Sequence, residues 1–250
     1  MIPSEPRSVG GAADPIRGIT FDFWNTLIAE GGFSDHRVER WHEVMFDAGH
    51  DISEERLREV TGELWIWFTA EWEANRVVTP AQAAVETVGL LDLPADDALI
   101  SRLVEVTEEG YDPSHMRVAD GVGDALEGLK SAGLRVGIIC DVGLTPSRRL
   151  RSYLDHHGLL RHFDHWSFSD EVGCYKPDAR MFAHAAEGLG MTGSRLAHIG
   201  DLRRTDVAGA RDAGWLAVRY TGFFDDTSEH HADGDVVIGH HAELLEALAW

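Results

Sequence analysis

Five ionisable side chains of this sequence stand at or just beyond short apolar segments: Asp22, Asp141, Lys176, Asp201 and Asp206. Carboxylates that lie close together disfavour one another's charge unless a cation lies among them. Hard oxygen ligands without an accompanying His or Cys pattern favour Mg²⁺ over zinc. A lysine beside such a metal suits a tetrahedral anion, most simply a phosphoryl group. These residue types therefore predict a magnesium-assisted phosphoryl site, provided that the fold brings them together.

The segments around these residues predict an α/β fold. Strands are predicted at residues 19–24, 135–140, 166–169, 196–200, 216–220 and 235–238. Helices are predicted at residues 122–132, 146–157, 178–189, 205–213 and 241–249. This alternation indicates βαβ units and a doubly wound, Rossmann-like parallel sheet. Ligands of such sheets bind outside the carboxyl ends of the strands, which is where the ionisable residues stand.

A long helical block interrupts this fold after its first strand. The predicted helices of the block cover residues 34–48, 54 onwards, 80 onwards and 96–110. Ser53 is a suitable N-cap for the second helix, and Pro80 is a suitable first residue for the third. The second helix carries Trp65, Phe68 and Trp72 on one face. We expect these three side chains to form the core of the block rather than a platform for substrate.

Composition and charge limit the class of protein. The chain has 250 residues, and its 22 Lys and Arg against 43 Asp and Glu give a formal net charge of −21. Such an acidic balance argues against nucleic acid and anionic membranes as partners. No stretch approaches the ~18 consecutive apolar residues that span a bilayer, and residues 1–18 lack the pattern of a secretory signal. The two cysteines exclude a disulfide framework, so we expect a cytoplasmic protein.

Three segments outside the strands and helices also carry expectations. Residues 1–16 are polar and rich in Gly, Pro and Ala, which is typical of a flexible tail. Residues 222–234 are acidic and polar, which indicates a surface loop. The adjacent histidines His240 and His241 show no metal-binding spacing, and we expect both at the surface.

Four ordered motifs resemble those of the haloacid dehalogenase (HAD) superfamily. The first is Asp22-Phe-Trp-Asn-Thr-Leu27, similar to a strand-end Asp-x-Asp-x-Thr-Leu. The second is the apolar strand that ends in Cys140-Asp141, and the third is the lysine of Tyr-Lys176-Pro. The fourth is Gly-Asp201 followed by Asp206 and a helix. The resemblance covers nearly all of residues 17–250, with residues 17–32 and 117–250 as the α/β core and residues 33–116 as an inserted helical cap.

The resemblance implies a role in covalent catalysis for three of these residues. It implies that Asp22 is the nucleophile, which forms an aspartyl-phosphate and so divides one difficult hydrolysis into two easier steps. It implies that Thr26 orients the loop that carries the nucleophile. It also implies that Lys176 binds both the nucleophile and the phosphoryl oxygens and neutralises charge in the transition state. The cap would close over the site and select the substrate.

The resemblance implies a metal site as well. Asp22, Asp201 and the backbone carbonyl of Trp24 would hold Mg²⁺, with Asp206 as a further ligand or as an acceptor beside the ligands. The implied function is a Mg²⁺-dependent phosphohydrolase that acts on a small phosphorylated metabolite.

Three residues depart from the family's pattern. Trp24 replaces the second aspartate, which protonates the leaving oxygen, and indole cannot perform that proton transfer. Trp24 can instead contact substrate. Cys140 replaces a hydroxyl that binds the phosphoryl group, and Asp141 replaces a neutral amide. Either Asp141 substitutes as the acid–base group, or a leaving group of low pKa or a hydroxyl-bearing substrate makes the missing acid tolerable.

Two alternative functions stay open. A catalytically impaired member of the superfamily would bind a phosphorylated ligand or a protein partner, and Trp24 and Cys140 favour this reading. A metal-free 2-haloacid dehalogenase also lacks the second aspartate, but its fourth motif has neutral residues where this chain has Asp201 and Asp206. The identity of the substrate and the oligomeric state are left open by the sequence.

Overall fold

The computed structural model of the chain describes residues 15–29, 33–191 and 195–248. The predicted flexible tail, residues 1–16, therefore lies outside the described residues except for its last two positions. No helix in these ranges is long and apolar enough to cross a membrane.

The strands of the described chain are β1 (Gly18–Phe21), β2 (Ile28–Ala29), β3 (Arg117–Val118), β4 (Arg135–Cys140), β5 (His165–Phe168), β6 (Leu196–Gly200), β7 (Leu216–Tyr220) and β8 (Val236–Ile238). Six of them form one parallel sheet in the order β5-β4-β1-β6-β7-β8. At the centre of the sheet, Phe21 pairs with Ile138 of β4 and with Ile199 of β6. The three central strands therefore end within two residues of one another, which brings the residues that follow them together.

The helices of the described chain are α1 (Phe33–Asp47), α2 (Glu54–Glu73), α3 (Pro80–Leu90), α4 (Asp97–Glu109), α5 (Val122–Ser131), α6 (Ser147–His156), α7 (Ser169–Val172), α8 (Ala179–Leu189), α9 (Ala208–Asp212) and α10 (Leu244–Ala247). Successive residues of β4 face opposite sides of the sheet, as a strand requires. Ile138 packs with α5, α6 and α10, whereas Ile139 packs with α8 and α9. Helices thus cover both faces, and the doubly wound α/β fold is confirmed.

Helices α1 to α4 pack around a hydrophobic cluster of their own, which includes the fully buried Leu57 and Leu103. Trp41 is buried in this cluster, where its indole N–H donates to Thr107 at 3.3 Å. The predicted caps are confirmed: the Ser53 hydroxyl accepts from the Arg56 N–H, and Thr79 caps the helix that starts at Pro80.

A small two-stranded ladder, which the sequence did not reveal, flanks these four helices: β2 precedes them along the chain and β3 follows them. Strands β2 and β3 have two residues each and pair antiparallel, with Ile28 opposite Val118. Two residues are too few to show the alternating pattern of a strand. The ladder brings the chain back to the sheet close to the point where it left, so the helical insertion does not disturb the alignment of β1.

Two predicted helices begin differently from expectation. A π-helical turn, Arg203–Val207, precedes α9, because the N–H groups of Asp206 and Val207 both donate to the Leu202 carbonyl. The closing segment starts with a 3₁₀ turn, His241–Glu243, before α10. The expectation of a surface position is wrong for His241, which is 1% exposed and stacks on Tyr220 at 4.4 Å.

Candidate active site

The carboxyl ends of β1, β4 and β6 carry buried ionisable side chains. Asp22 follows β1, and Asp201 follows β6. Lys176 lies in the loop before α8, and Asp206 lies in the π-helical turn after β6. We call Asp22, Lys176, Asp201 and Asp206 the charged floor. All four are at most 6% exposed, and the fold brings together residues from three distant segments of the chain.

Lys176 is the centre of the charged floor. Its ammonium donates to Asp22 Oδ1 at 2.5 Å, to Asp206 Oδ1 at 2.6 Å and to the carbonyl of Ile139 at 3.1 Å. Burial opposes the charge of Lys176, but the carboxylates of Asp206 and Asp22 outweigh burial and hold the pKa of Lys176 well above its usual value. The lysine is therefore a fixed positive charge beside Asp22.

Both carboxylate oxygens of Asp206 accept hydrogen bonds from the protein. Its Oδ1 also lies 3.1 Å from His198 Nε2, and its Oδ2 accepts from the N–H of Leu202 at 2.9 Å. Burial alone would raise the pKa of Asp206, but Lys176 and His198 hold it well below its usual value. Because both oxygens have protein donors, Asp206 fits the role of an acceptor that positions Lys176 better than that of a direct metal ligand.

His198 is a site residue that the sequence analysis missed. It lies in β6, fully buried, with Nδ1 2.8 Å from the Thr20 hydroxyl and Nε2 directed at Asp206. A histidine within an otherwise apolar strand was the available signal, because a buried imidazole requires partners.

The acidic residues of the charged floor offer oxygen ligands for a cation. One carboxylate oxygen of each of Asp22, Asp201 and Asp206 lies within 4.8 Å of the others. Burial raises the pKa of Asp22 to about 7 although Lys176 opposes the shift. Burial, followed by the charges of Asp22 and Asp206, raises the pKa of Asp201 well above its usual value. The raised pKa values show that the carboxylates of Asp22 and Asp201 disfavour their charged forms when no metal cation lies among them, so the oxygen ligands fit a hard divalent cation.

Asp141 connects the sheet to the helical block. Its Oδ1 accepts from the backbone N–H of Lys176 at 2.9 Å, and its Oδ2 accepts from the indole N–H of Trp72 in α2 at 2.8 Å. The Arg204 guanidinium lies 3.9 Å above the Trp72 ring. Burial raises the pKa of Asp141, and Lys176 opposes the shift. Each oxygen of Asp141 therefore already accepts one hydrogen bond from the protein.

Thr26 and Cys140 are both fully buried beneath the site. The Thr26 hydroxyl has no hydrogen-bond partner among the described residues, while its carbonyl lies 2.8 Å from His241 Nε2. Since a carbonyl only accepts, His241 carries its proton on Nε2.

Cys140 packs in the core, and burial raises the pKa of its thiol well above its usual value. Contact of Cys140 with a substrate therefore stays a prediction.

A cavity of about 910 Å³ opens above the charged floor, between the sheet and the helices. Trp24 lines it on the side of the sheet, and Trp65, Phe68 and Trp72 line it from α2. Phe68 is 5% exposed, whereas Trp65 is 63% exposed. The expectation that this face of α2 is core is thus right for Phe68 and wrong for Trp65, because a helix at the rim of a cavity has core on only part of its apolar face.

Comparison with known proteins places this geometry in context. A family model described as haloacid dehalogenase-like hydrolase matches residues 16–214. The chain is 26% identical to a glyceraldehyde 3-phosphate phosphatase from Methanothermobacter thermautotrophicus over 93% of this chain and 100% of that protein. It is 28% identical to an (S)-2-haloacid dehalogenase from Pseudomonas sp. strain YL over 81% of each chain.

Other matches are partial or concern the fold alone. The match to haloacid dehalogenase-like hydrolase domain-containing protein 3 from Mus musculus, 29% identical, covers 52% of this chain and about half (50%) of that relative. Among solved structures, the HAD-hydrolase YfnB from Bacillus subtilis bound to magnesium superposes with a TM-score of 0.66 at 18% identity. That match covers 95% of this chain and 100% of the other. At this identity the likeness shows a shared fold.

Proposed function

This chain belongs to the haloacid dehalogenase-like hydrolase family, and from that premise we propose that it is a Mg²⁺-dependent phosphohydrolase of a small phosphorylated molecule. The observation that carries the proposal is the position of the Lys176 ammonium, 2.5 Å from Asp22 and 2.6 Å from Asp206, at the bottom of a cavity. A buried carboxylate beside a fixed cation, open to a ligand on one side, fits nucleophilic attack on an anionic phosphorus centre.

In the first half of the proposed reaction, a carboxylate oxygen of Asp22 attacks the phosphorus atom. The bond between phosphorus and the leaving oxygen breaks, and its electron pair departs with that oxygen. Lys176 faces the charge that develops on the phosphoryl oxygens and on the attacking carboxylate. Its other partner, Asp206, keeps the ammonium in place, so no reorganisation is needed when the charge develops.

In the second half, water attacks the phosphorus atom of the aspartyl-phosphate. The bond between phosphorus and the Asp22 oxygen breaks, the carboxylate is restored, and phosphate leaves with the oxygen of the water. The proton of the water passes to solvent or to the phosphate. The helical residues 33–116 act as a cap in this proposal, because α2 covers the cavity and excludes bulk water.

Asp22 and Asp201 are the residues that we propose to hold Mg²⁺, together with the backbone carbonyl of Trp24. Asp206 is not a direct ligand in this proposal; it accepts a hydrogen bond from Lys176 and so positions the ammonium. When bound, the cation supplies Lewis-acid stabilisation of the phosphoryl oxygens. The excess of buried carboxylates over ammonium groups supports this assignment.

Asp141 acts in this proposal as a positioning residue rather than as the missing acid. Its two oxygens hold the Lys176 loop and α2 at fixed distances. Substitution by Asn is expected to weaken catalysis without changing its pH profile, whereas loss of an acid–base group would remove one limb of that profile.

A dehalogenase is the second candidate, because one relative is an (S)-2-haloacid dehalogenase and because Trp24 lacks an acid–base function. The acidic Asp201 and Asp206 favour the phosphohydrolase. Metal dependence separates the two candidates.

The free and buried cysteines, Cys140 and Cys174, support a reducing compartment such as the cytosol.

The test is release of inorganic phosphate from acetyl phosphate, aryl phosphates and sugar phosphates, with Mg²⁺ or with EDTA. We expect turnover that EDTA abolishes and that Asp22→Asn reduces by roughly 10⁴-fold or more. The Mg²⁺ site has an independent readout, since calorimetric titration with Mg²⁺ should lose its signal in Asp201→Asn.

Halide release from a 2-haloacid that survives EDTA would support the dehalogenase. Mg²⁺ binding without turnover of any phosphorylated compound would support a catalytically impaired binding protein.

A further inference from the structure

The cavity is much larger than its reactive end. Its volume of about 910 Å³ is near the top of the range of about 300–1,000 Å³ that is typical of sites for drug-sized ligands. The charged floor occupies one end of this space. A three-carbon phosphate placed with its phosphorus atom beside Asp22 would leave most of the remaining wall in contact with water.

That remaining wall is dominated by aromatic rings. On the side of the sheet these are Trp24, Phe223 and Phe224. On the side of α2 they are Trp65, Phe68 and Trp72. Trp65 and Phe68 stack with their ring centroids 5.3 Å apart and their planes at 24°. Trp65 is 63% exposed, and a ligand that covers its apolar surface removes that surface from water, which favours binding.

Three of the described residues that line the cavity are arginines; Arg58 pairs with Glu54, and the other two lie over aromatic rings. The guanidinium of Arg37 lies 5.5 Å from the centroid of the Tyr111 ring, and that of Arg117 lies 5.1 Å from the centroid of the Phe223 ring. Stacked guanidinium groups of this kind present a flat face, which suits a planar ligand. The wall therefore matches a flat apolar group better than a sugar with many hydroxyls.

The reactive end imposes a second requirement on the same substrate. Trp24 stands two residues beyond Asp22, and its indole cannot protonate a leaving oxygen. Among the described carboxylates that line the cavity, both oxygens of Asp141 and of Asp206 already accept hydrogen bonds. Asp22 is the proposed nucleophile, and Asp201 is a proposed ligand of Mg²⁺. None of these side chains is therefore assigned to protonate the leaving oxygen, which favours a group that can depart as an anion.

We propose that the substrate is a phosphomonoester of an aromatic alcohol, whose ring lies against the aromatic wall and whose oxygen leaves as a phenolate. A phenol has a pKa of about 10, against about 15.7 for water, so a phenolate departs where an alkoxide needs an acid. In the step, the Asp22–phosphorus bond forms and the phosphorus–phenol oxygen bond breaks. The electron pair stays on the phenolate, which takes its proton from water. This inference rests on the proposed phosphohydrolase function.

The experiment compares four compounds in the presence of Mg²⁺. 1-Naphthyl phosphate has the ring and the good leaving group, and 2-phenylethyl phosphate has the ring with a poor leaving group. Acetyl phosphate has a good leaving group without a ring, and glycerol 3-phosphate has neither. We expect kcat/KM for 1-naphthyl phosphate to exceed that for glycerol 3-phosphate by at least about 100-fold, since two independent features favour it.

Two variants test the two features separately. Trp65→Ser should raise KM for 1-naphthyl phosphate by about 3–10-fold and change acetyl phosphate less. Its matched control is Ile66→Ser, since Ile66 is the next residue of α2, is 72% exposed and is not among the described residues that line the cavity. Ile66→Ser should change neither substrate. Trp24→Asp should raise kcat for 2-phenylethyl phosphate by about 10²–10⁴-fold and that for 1-naphthyl phosphate by much less.

The outcomes distinguish failure of the aryl assignment from failure of the phosphohydrolase function. Phosphate release from glycerol 3-phosphate at a kcat/KM equal to or above that for 1-naphthyl phosphate would overturn the aryl assignment and leave the phosphohydrolase standing. Equal effects of Trp65→Ser on ring-bearing and ringless substrates would also overturn it. No release from any of the four compounds would overturn the phosphohydrolase and the aryl assignment together.

Discussion

The charged floor and the aromatic wall bound the same cavity, yet different forces hold them. In the charged floor, Lys176 of the loop before α8 forms short, buried ion pairs with Asp22, which follows β1, and with Asp206, which lies in the turn after β6. In the wall, Trp65 projects from α2 with most of its surface exposed. The floor holds Asp22 and Asp206 against their buried cation, whereas the wall is apolar surface that a ligand can cover.

This difference assigns separate tasks to the two regions. In the proposed function, the chemistry depends on groups whose positions are set by the register of a parallel sheet, and the choice of substrate depends on the aromatic side chains of the wall. Substitutions in the charged floor should therefore change stability and turnover together. Substitutions in the wall should change substrate preference with little effect on folding.

The largest effect is expected when Lys176 is replaced by Met. The change leaves the buried carboxylates of Asp22 and Asp206 without their cation, which costs about 3–5 kcal/mol of unfolding free energy. Urea denaturation in the presence of EDTA measures the loss.

The chain offers a matched control, since Lys130 is its other lysine and pairs with Asp164 at 2.6 Å while 31% exposed. Lys130→Met should cost at most about 1 kcal/mol. Equal losses in the two variants would contradict the view that the charged floor is held by buried charge.

The next effect is a dependence of stability on pH through His241, which supports the Thr26 carbonyl behind the charged floor. Burial lowers the pKa of His241 to about 4, against about 6.5 in the unfolded chain. The unfolded state therefore binds the proton first, and stability is lost as the pH falls from 6.5 towards 4, by roughly 3 kcal/mol in total.

His241→Gln keeps an N–H donor for Thr26 but does not titrate. The difference in unfolding free energy between the native protein and this variant should change across pH 4–6.5 and be constant above pH 7. A difference that is constant across the whole range would show that His241 is not buried in its neutral form.

A smaller effect is expected where the two regions meet, at the hydrogen bond between Trp72 and Asp141. Trp72→Phe removes the donor to Asp141 Oδ2, and a hydrogen bond to a charged group contributes about 1–3 kcal/mol. A double-mutant cycle with Asp141→Asn should show that the two residues are coupled.

The control cycle pairs Trp72→Phe with Glu71→Gln, because Glu71 forms an ion pair with Arg76 on the surface. Coupling in that cycle should be near zero. Equal coupling in the two cycles would mean that the indole hydrogen bond does not join the helical block to the sheet.

The smallest effect is expected in the wall itself. Trp65→Ser should change the unfolding free energy by no more than about 0.5 kcal/mol, because the side chain is mostly exposed. Phe68→Ala, one turn further along α2 and 5% exposed, should cost about 3–5 kcal/mol. A large loss in Trp65→Ser would place Trp65 in the core of the helical block after all.

The charged floor was more predictable from the sequence than the wall. Strands β4, β6 and β7 have the predicted bounds, because mostly apolar runs of five or six residues between turn signals are typical of buried parallel strands. Polar residues at the ends of such runs have to lie at one edge of the sheet. The meeting of Asp22 with Asp201 could therefore be predicted without coordinates.

What the sequence did not reveal depends on contacts between distant segments. The partner of His198 is set by a turn of unusual geometry around Asp206, and the bond from Trp72 to Asp141 joins residues from separate units of the chain. The helical pattern places Trp65 on the same face as Phe68, but it cannot show where that face leaves the core and borders a cavity.

The central claim is that Asp22 carries the phosphoryl group, and one measurement tests it directly. Acid-quenched protein, taken during turnover of acetyl phosphate with Mg²⁺, is digested and analysed by mass spectrometry. We expect the added mass of one phosphoryl group on the peptide that contains Asp22, and no such peptide from Asp22→Asn. Turnover with the phosphoryl group on a different residue, or an Asp22→Asn variant that still releases phosphate at the native rate, would contradict it.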